Sequence, residues 1–223
     1  MITQVDIMNV LQNLAVSRPA FCSEADFQLS ISWELKTYLA QHQNESYEIF
    51  LERRFEIDTK DCYVDICLES EEELYLIELK YKTIRDTVLI SNRLSSKHTL
   101  KEQAANDLGR YGYLKDIYRI EKILNGISKP VKKGFAIILT NDSKYYKEPI
   151  KPLTTIDCTF RIHERTTPLN PFVNPIAWTL KNGKPKWLTN NYSSFAIQHI
   201  PSFGWRSYSM QTNSTFKYLL TEI

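Results

Sequence analysis

Glycine is scarce in this chain. Its 223 residues contain only six, at positions 109, 112, 126, 134, 183 and 204. Neither a G-x-G-x-x-G turn nor a P-loop can be built from those spacings, since both need clustered glycines so that backbone can approach a phosphate. Cysteine and histidine are sparse too. Cys22, Cys62, Cys67 and Cys158 form no C-x-x-C pair, and His42, His98, His163 and His199 form no H-E-x-x-H. Zinc chemistry is therefore not expected, and the cysteines read as free, buried thiols of a reducing compartment. Long apolar runs are also missing. The longest, Phe135-Ala136-Ile137-Ile138-Leu139, is far short of the ~20 residues of a membrane span and reads as a buried strand. Met1-Ile2-Thr3-Gln4-Val5-Asp6 lacks the basic start and apolar block of a signal peptide. The expectation is a cytoplasmic protein with no membrane partner.

What is present is the composition of a folded globular protein, 43% hydrophobic and 24% charged. The charge is unevenly spread. Residues 1–126 carry 15 Lys/Arg against 21 Asp/Glu, whereas residues 127–223 carry 13 against 5. An acidic first part joined to a basic last part suggests a site where cations and a polyanion meet, the alternative being two solvated surfaces. The expected organisation is a core over residues 1–150 and a basic extension over 151–223, packed on that core or continuing it.

Residues 1–20 read as a short helix and a loop ending at Pro19. Ser23 then caps a helix with Glu24 and Asp26 in its first turn, and Phe27, Ile31, Leu35, Tyr38 and Leu39 form one apolar stripe. A strand with a mixed pattern over 47–57 suits a sheet edge. A polar loop or lid is expected over 82–99. A long helix is expected from about Thr99 to Asn125, striped by Leu100, Ala104, Leu108, Tyr111, Leu114 and Tyr118. The continuously apolar 134–140 reads as a central strand. Further on, Asn182-Gly183 predicts a hairpin setting Trp178 opposite Trp187; both tryptophans read as packing rather than base-stacking residues. Lysines 129, 132, 133, 144, 147 and 151 form a basic stretch that could contact phosphates. The order of elements is α/β with a mixed sheet flanked by helices and a β-rich C-terminal extension.

The most informative segment runs from Tyr63 to Tyr81. Two strand-like runs flank the polar Ser70-Glu71-Glu72-Glu73, which predicts a hairpin. A turn centred between Glu71 and Glu72 sets Val64 against Leu79, Ile66 against Ile77 and Leu68 against Tyr75. The opposite face then carries Asp65 across from Glu78, with Lys80 one pleat further along. Two opposed carboxylates repel, and one lysine offsets only part of that repulsion. Hard oxygen ligands in that position suit Mg²⁺ or Mn²⁺. Glu69, Glu71, Glu72 and Glu73 read as a solvated turn.

Asp65, twelve further residues, and then Glu78-Leu79-Lys80 resemble the bipartite motif of the PD-(D/E)XK nuclease superfamily, which has the restriction-endonuclease-like fold. The resemblance spans about residues 20–140. Val64 stands where that motif has its proline. The resemblance implies that Asp65 and Glu78 are metal ligands, joined by the Leu79 carbonyl, and that Lys80 orients or activates the attacking water. It also implies a further carboxylate from the preceding helix, which Glu24 matches, and a polar residue on the following helix, which Gln103 matches.

The function so implied is a Mg²⁺- or Mn²⁺-dependent endonuclease that hydrolyses DNA phosphodiester bonds by attack of a metal-activated water. The alternatives are a catalytically silent nucleic-acid-binding or assembly subunit of the same fold, or the same chemistry on RNA. A homodimer would suit double-strand cutting with one site per chain.

Overall fold

The computed structural model describes residues 1–42, 47–150, 155–165, 173–179 and 186–223. Helix α1 (Gln4–Ser17) opens on a capping box, in which Thr3 and Asp6 each satisfy the other's backbone N–H. Helix α2 (Glu24–His42) starts where Ser23 Oγ accepts the Asp26 N–H at 3.1 Å. Strands β1 (Glu48–Ile57), β2 (Lys60–Glu69) and β3 (Glu73–Lys82) follow, then β4 (Thr87–Ser91) and β5 (Ser96–Thr99). Helix α3 (Asn106–Asn125) leads to β6 (Val131–Thr140) and the single turn α4 (Ser143–Tyr146). The last described elements are α5 (Lys186–Asn191), β7 (Arg206–Met210) and β8 (Thr215–Glu222).

Six strands form one sheet in the order β1-β2-β3-β6-β8-β7. Only β3 and β6 run parallel; every other neighbouring pair is antiparallel, so the sheet is mixed. Helices cover both faces. Phe27, Ile31 and Leu35 of α2 pack with Tyr75, Ile77, Leu79 and Tyr81 on one side. Tyr113, Leu114, Ile117 and Ile120 of α3 pack with Leu74, Leu76, Ala136 and Ile138 on the other. Because both faces of β3 and β6 are covered, these strands read as unbroken apolar runs. The expected edge position of the 47–57 strand is found, as is the contribution of the C-terminal part to the sheet through β7 and β8. No helix among the described residues is long and apolar enough to cross a membrane.

Four expectations are corrected. The segment 82–99 contains the β4–β5 hairpin, with Val88 buried. Helix α3 begins at Asn106, not near Thr99. Leu100 packs in the core beneath α1 and α2, on the opposite side of the sheet from Tyr111 and Leu114, so these residues share no helical stripe. Ala105, at φ 65°, turns the chain into the helix. Trp187 lies on α5 and is exposed, while Trp178 is buried beside Tyr111 and Phe160, so the two do not face each other across a hairpin; Asn182-Gly183 lies outside the described residues. Finally, Glu73 is not solvated. It is 6% exposed and accepts hydrogen bonds from the Tyr47 and Tyr75 hydroxyls at 2.5 and 2.6 Å.

Candidate metal and nuclease site

The hairpin register is the expected one where the strands pair: Ile66 faces Ile77, Cys67 faces Leu76 and Leu68 faces Tyr75. The pairing stops at Ile66. Upstream of it β2 stays with β1, and Val64 joins the α3-side core while Ile66 and Leu68 join the opposite core. Val64 therefore does not face Leu79, Asp65 is not the expected strand partner of Glu78, and the single apolar face expected for the hairpin is split at Asp65. Glu52, beside this point on β1, has φ 52°, a left-handed conformation that marks the distortion.

Beyond Ile77, β3 has no strand neighbour on this side, and its backbone donors are met by side chains instead. The Asp65 carboxylate accepts the Leu79 N–H at 2.6 Å, and Glu24 Oε2 accepts the Tyr81 N–H at 2.7 Å. Gln28 of α2 ties the arrangement down by donating to the Asp65 carbonyl at 2.7 Å and to Glu52 Oε1 at 2.9 Å. Asp65 and Glu24 are thus drawn to the same stretch of β3 from two different elements. Lys82 Nζ lies 3.8 Å from Glu24 Oε2.

Glu78 and Lys80 project from β3 toward α3. Glu78 is 2% exposed, and its Oε1 lies 2.8 Å from Arg119 Nη2. Lys80 Nζ lies 2.7 Å from Asp116 Oδ2, and Arg119 Nη1 donates to Asp116 Oδ1 at 3.2 Å. Arg119 is itself anchored by the Tyr63 carbonyl and by Cys62 Sγ. Glu78 Oε1 and Asp116 Oδ2 are buried oxygens held at ion-pair distance without an aligned hydrogen bond.

The electrostatics reflect a surplus of acid. Burial pushes the Asp65 carboxyl up to about 6 against the opposing effects of the Leu79 N–H and the Lys80 charge; Asp116 and Glu24 push it further up. Burial, and then the neighbouring Asp116 charge, raise Glu78 well above the ordinary carboxylate range despite Arg119. Asp116 is raised by burial as well. Lys80 is held firmly protonated, because Asp116, Glu24 and Glu78 outweigh its desolvation.

Gln103 is not on α3. Its N–H donates to the Thr83 carbonyl at 2.8 Å, and it borders a cavity of about 310 Å³ that also touches Lys80, Lys82, Gly109 and Gly112. The lysine-rich stretch is divided. Lys129 and Lys132 donate to backbone carbonyls and Lys133 pairs with Glu222, all at the far end of β6 from Lys80. Lys151 lies outside the described residues.

Asp116 and Arg119 are the site residues that the sequence reading passed over. Asp116 falls between Tyr113, Ile117 and Ile120 on the buried face of α3. A charged residue inside an apolar stripe carries a signal, because an acid is seldom buried without a partner.

The oxygen-only donor set of Asp65, Glu78, Glu24 and the Leu79 carbonyl suits a hard divalent cation, and the excess of buried carboxylate is the charge such an ion would offset. As the side chains stand, no group of three or more His, Cys, Asp or Glu residues converges on one point among the described residues. Compared with known proteins, the chain matches no family model, no curated protein and no solved structure.

Proposed function

We propose that this chain is a metal-dependent nuclease of the PD-(D/E)XK type with a restriction-endonuclease-like core, acting on phosphodiester bonds in DNA. The observation that carries the reading is that Asp65 and Glu24 are held against the β3 backbone on either side of Lys80, in the same stretch as Glu78, where β2 leaves β3. Asp65, Glu78, Glu24 and the Leu79 carbonyl would hold Mg²⁺ or Mn²⁺. A bound ion of this kind supplies a water of lowered pKa and neutralises charge developing on phosphate. The chain's own residues do the positioning. Lys80, fixed by Asp116, offers an ammonium donor to the attacking water, and Arg119 holds the Glu78 carboxylate in place until it is needed. The open space beside Gly112, where a Cβ would meet only Lys80 Cε at 3.6 Å, leaves room for substrate next to that ammonium.

A second reading, a catalytically silent nucleic-acid-binding subunit of the same fold, is favoured by one specific observation. The charges of Glu78 and Lys80 are already matched by Arg119 and Asp116. The deciding experiment incubates the protein with plasmid, single-stranded DNA and RNA in Mg²⁺, Mn²⁺ or EDTA, alongside calorimetric titration with Mn²⁺. Metal-dependent cleavage lost in Lys80→Ala supports the enzyme. Absence of both cleavage and Mn²⁺ uptake favours the silent module, and cleavage of RNA alone reassigns the substrate.

A further inference from the structure

On another face of α3 from Lys80 lies a second cavity, of about 520 Å³, bordered by Asn106, Arg110, Lys144, Lys147, Glu148 and Arg161. Its floor is cationic and buried: Arg110 is 4% exposed and Arg161 is 7% exposed. Both guanidiniums converge on one carboxylate. Arg110 Nη2 lies 2.6 Å from Asp157 Oδ2, and Arg161 Nη2 lies 3.2 Å from Asp157 Oδ1. One acid for two guanidiniums leaves positive charge in surplus at a desolvated place, an arrangement that is costly unless an anion completes it. The Arg161 Nε–H is also buried with no hydrogen-bond partner among the described residues, and leaving a buried donor unmet is unfavourable.

The rim adds to this charge. Lys144 and Lys147 are exposed, and neither forms an ion pair with an acid among the described residues. Of the acids nearby, Glu148 stands on the rim and Asp157 behind the floor, and Asp157 is the one at ion-pair distance from the floor guanidiniums among the described residues. Two further acids lie close by: Asp107 accepts the Leu108 N–H and its charge acts on Arg161, and Asp142 accepts from Asn106 Nδ2 and the Lys144 N–H at the cavity border. Asn106 is the first residue of the twenty-residue α3, whose N-cap Ala105 makes no side-chain cap; Asp107 meets one first-turn N–H, and the others face this end of the helix dipole.

We propose that this cavity is a phosphate-binding site, distinct from the Asp65–Glu78–Lys80 cluster. The Arg161 Nε–H and the ammonium groups of Lys144 and Lys147 together match the several oxygens of a phosphate, with Arg110, bonded to Asp157 and the Lys144 carbonyl, adding charge behind them, whereas one cation already satisfies a simple carboxylate. The phosphate would be either the terminal group of a strand or nucleotide, or an internal phosphodiester. The assignment does not depend on the nuclease reading, because binding here needs neither Lys80 nor a metal.

The test measures binding in EDTA, so that cleavage plays no part. The probes are pyrophosphate, a short single-stranded DNA with a 5′-phosphate, and the same strand with a 5′-hydroxyl. Wild type is compared with Lys144→Ala/Lys147→Ala and with Lys36→Ala/Lys97→Ala, which removes equal charge from exposed positions elsewhere. The expected result is roughly a tenfold or greater loss of affinity in the first variant and none in the second. Loss confined to pyrophosphate and the 5′-phosphorylated strand assigns the site to a terminal phosphate. Equal loss for both strands assigns it to an internal phosphodiester. The proposal is overturned if wild type binds none of the probes, if the Lys144/Lys147 variant binds as wild type does, or if the control variant loses as much.

Discussion

The Asp65 carboxylate accepts the Leu79 N–H at 2.6 Å, doing for β3 what a neighbouring strand would otherwise do. A carboxylate in this position has two roles open to it, satisfying the backbone and binding a cation, and two substitutions separate them. Asp65→Asn keeps an oxygen for the N–H and removes the charge; Asp65→Ala removes both. The alanine variant should lose about 1–3 kcal/mol of stability relative to the asparagine variant, the cost of an unmet buried donor. Both should lose metal-dependent cleavage. Urea denaturation with cleavage assays on the same preparations checks this. Equal stabilities would remove the backbone role, and full activity in Asp65→Asn would remove the ligand role.

Lys80 is positioned from across the layer by Asp116. Asp116→Asn keeps the shape and removes the charge that orients the ammonium. Cleavage under single-turnover conditions should fall by about 10–100-fold, the usual effect of losing a supporting partner, with the circular dichroism spectrum unchanged. Lys80→Arg should be inactive despite its charge, because a planar fork does not replace a compact ammonium. Wild-type rates in Asp116→Asn would leave Lys80 without any need of that partner.

Gly109 allows α4 to sit against α3. A Cβ at this position would lie 2.0 Å from the Tyr145 hydroxyl oxygen and 3.0 Å from its Cζ. Gly109→Ala should therefore destabilise the fold by about 1–3 kcal/mol through overpacking. In a Tyr145→Phe background the cost should shrink, since the closest atom is gone. A double-mutant cycle in urea measures the coupling, and additivity of the two changes would rule out the contact as the cause.

Asp157 opposes its own burial through Arg110 and Arg161, and its carboxyl is held below the ordinary range. A depressed folded pKa means that the contribution is present above the unfolded carboxylate value and is lost as pH falls through the folded one. Asp157→Asn should cost about 3–5 kcal/mol near neutral pH, because two buried guanidiniums lose the carboxylate they share at ion-pair distance. The gap between variant and wild type should narrow as acid protonates the wild-type group. Urea denaturation from neutral to strongly acid pH tests the sign; a gap that widens in acid would contradict it.

The site was legible in part. The E-x-K tripeptide and the hairpin register from Ile66 to Leu68 could be read from alternation and a polar turn, because those signals are local; the expected pairing of Asp65 with Glu78 is not formed. The divergence of β2 from β3 could not be read, since it depends on β1 holding Val64 to the other core. Leu100 misled the reading of α3 because an apolar residue at helical spacing looks the same whichever side of a sheet it packs against. Gln103 was placed on the helix for the same reason.

The sequence alone determined helices α1 and α2, strands β1, β2, β3 and β6 and the edge position of β1, because propensity and periodicity act over a few residues; it did not determine β4, β5, α5 or the start of α3. Only the tertiary structure decided that Asp116 and Arg119 pair with Lys80 and Glu78, that Lys129, Lys132 and Lys133 are spent at the far end of β6, and that Arg110 and Arg161 share one acid. Those outcomes follow from which distant groups are desolvated together, and the strength of a charge depends on that shared surrounding far more than on its neighbours in the chain.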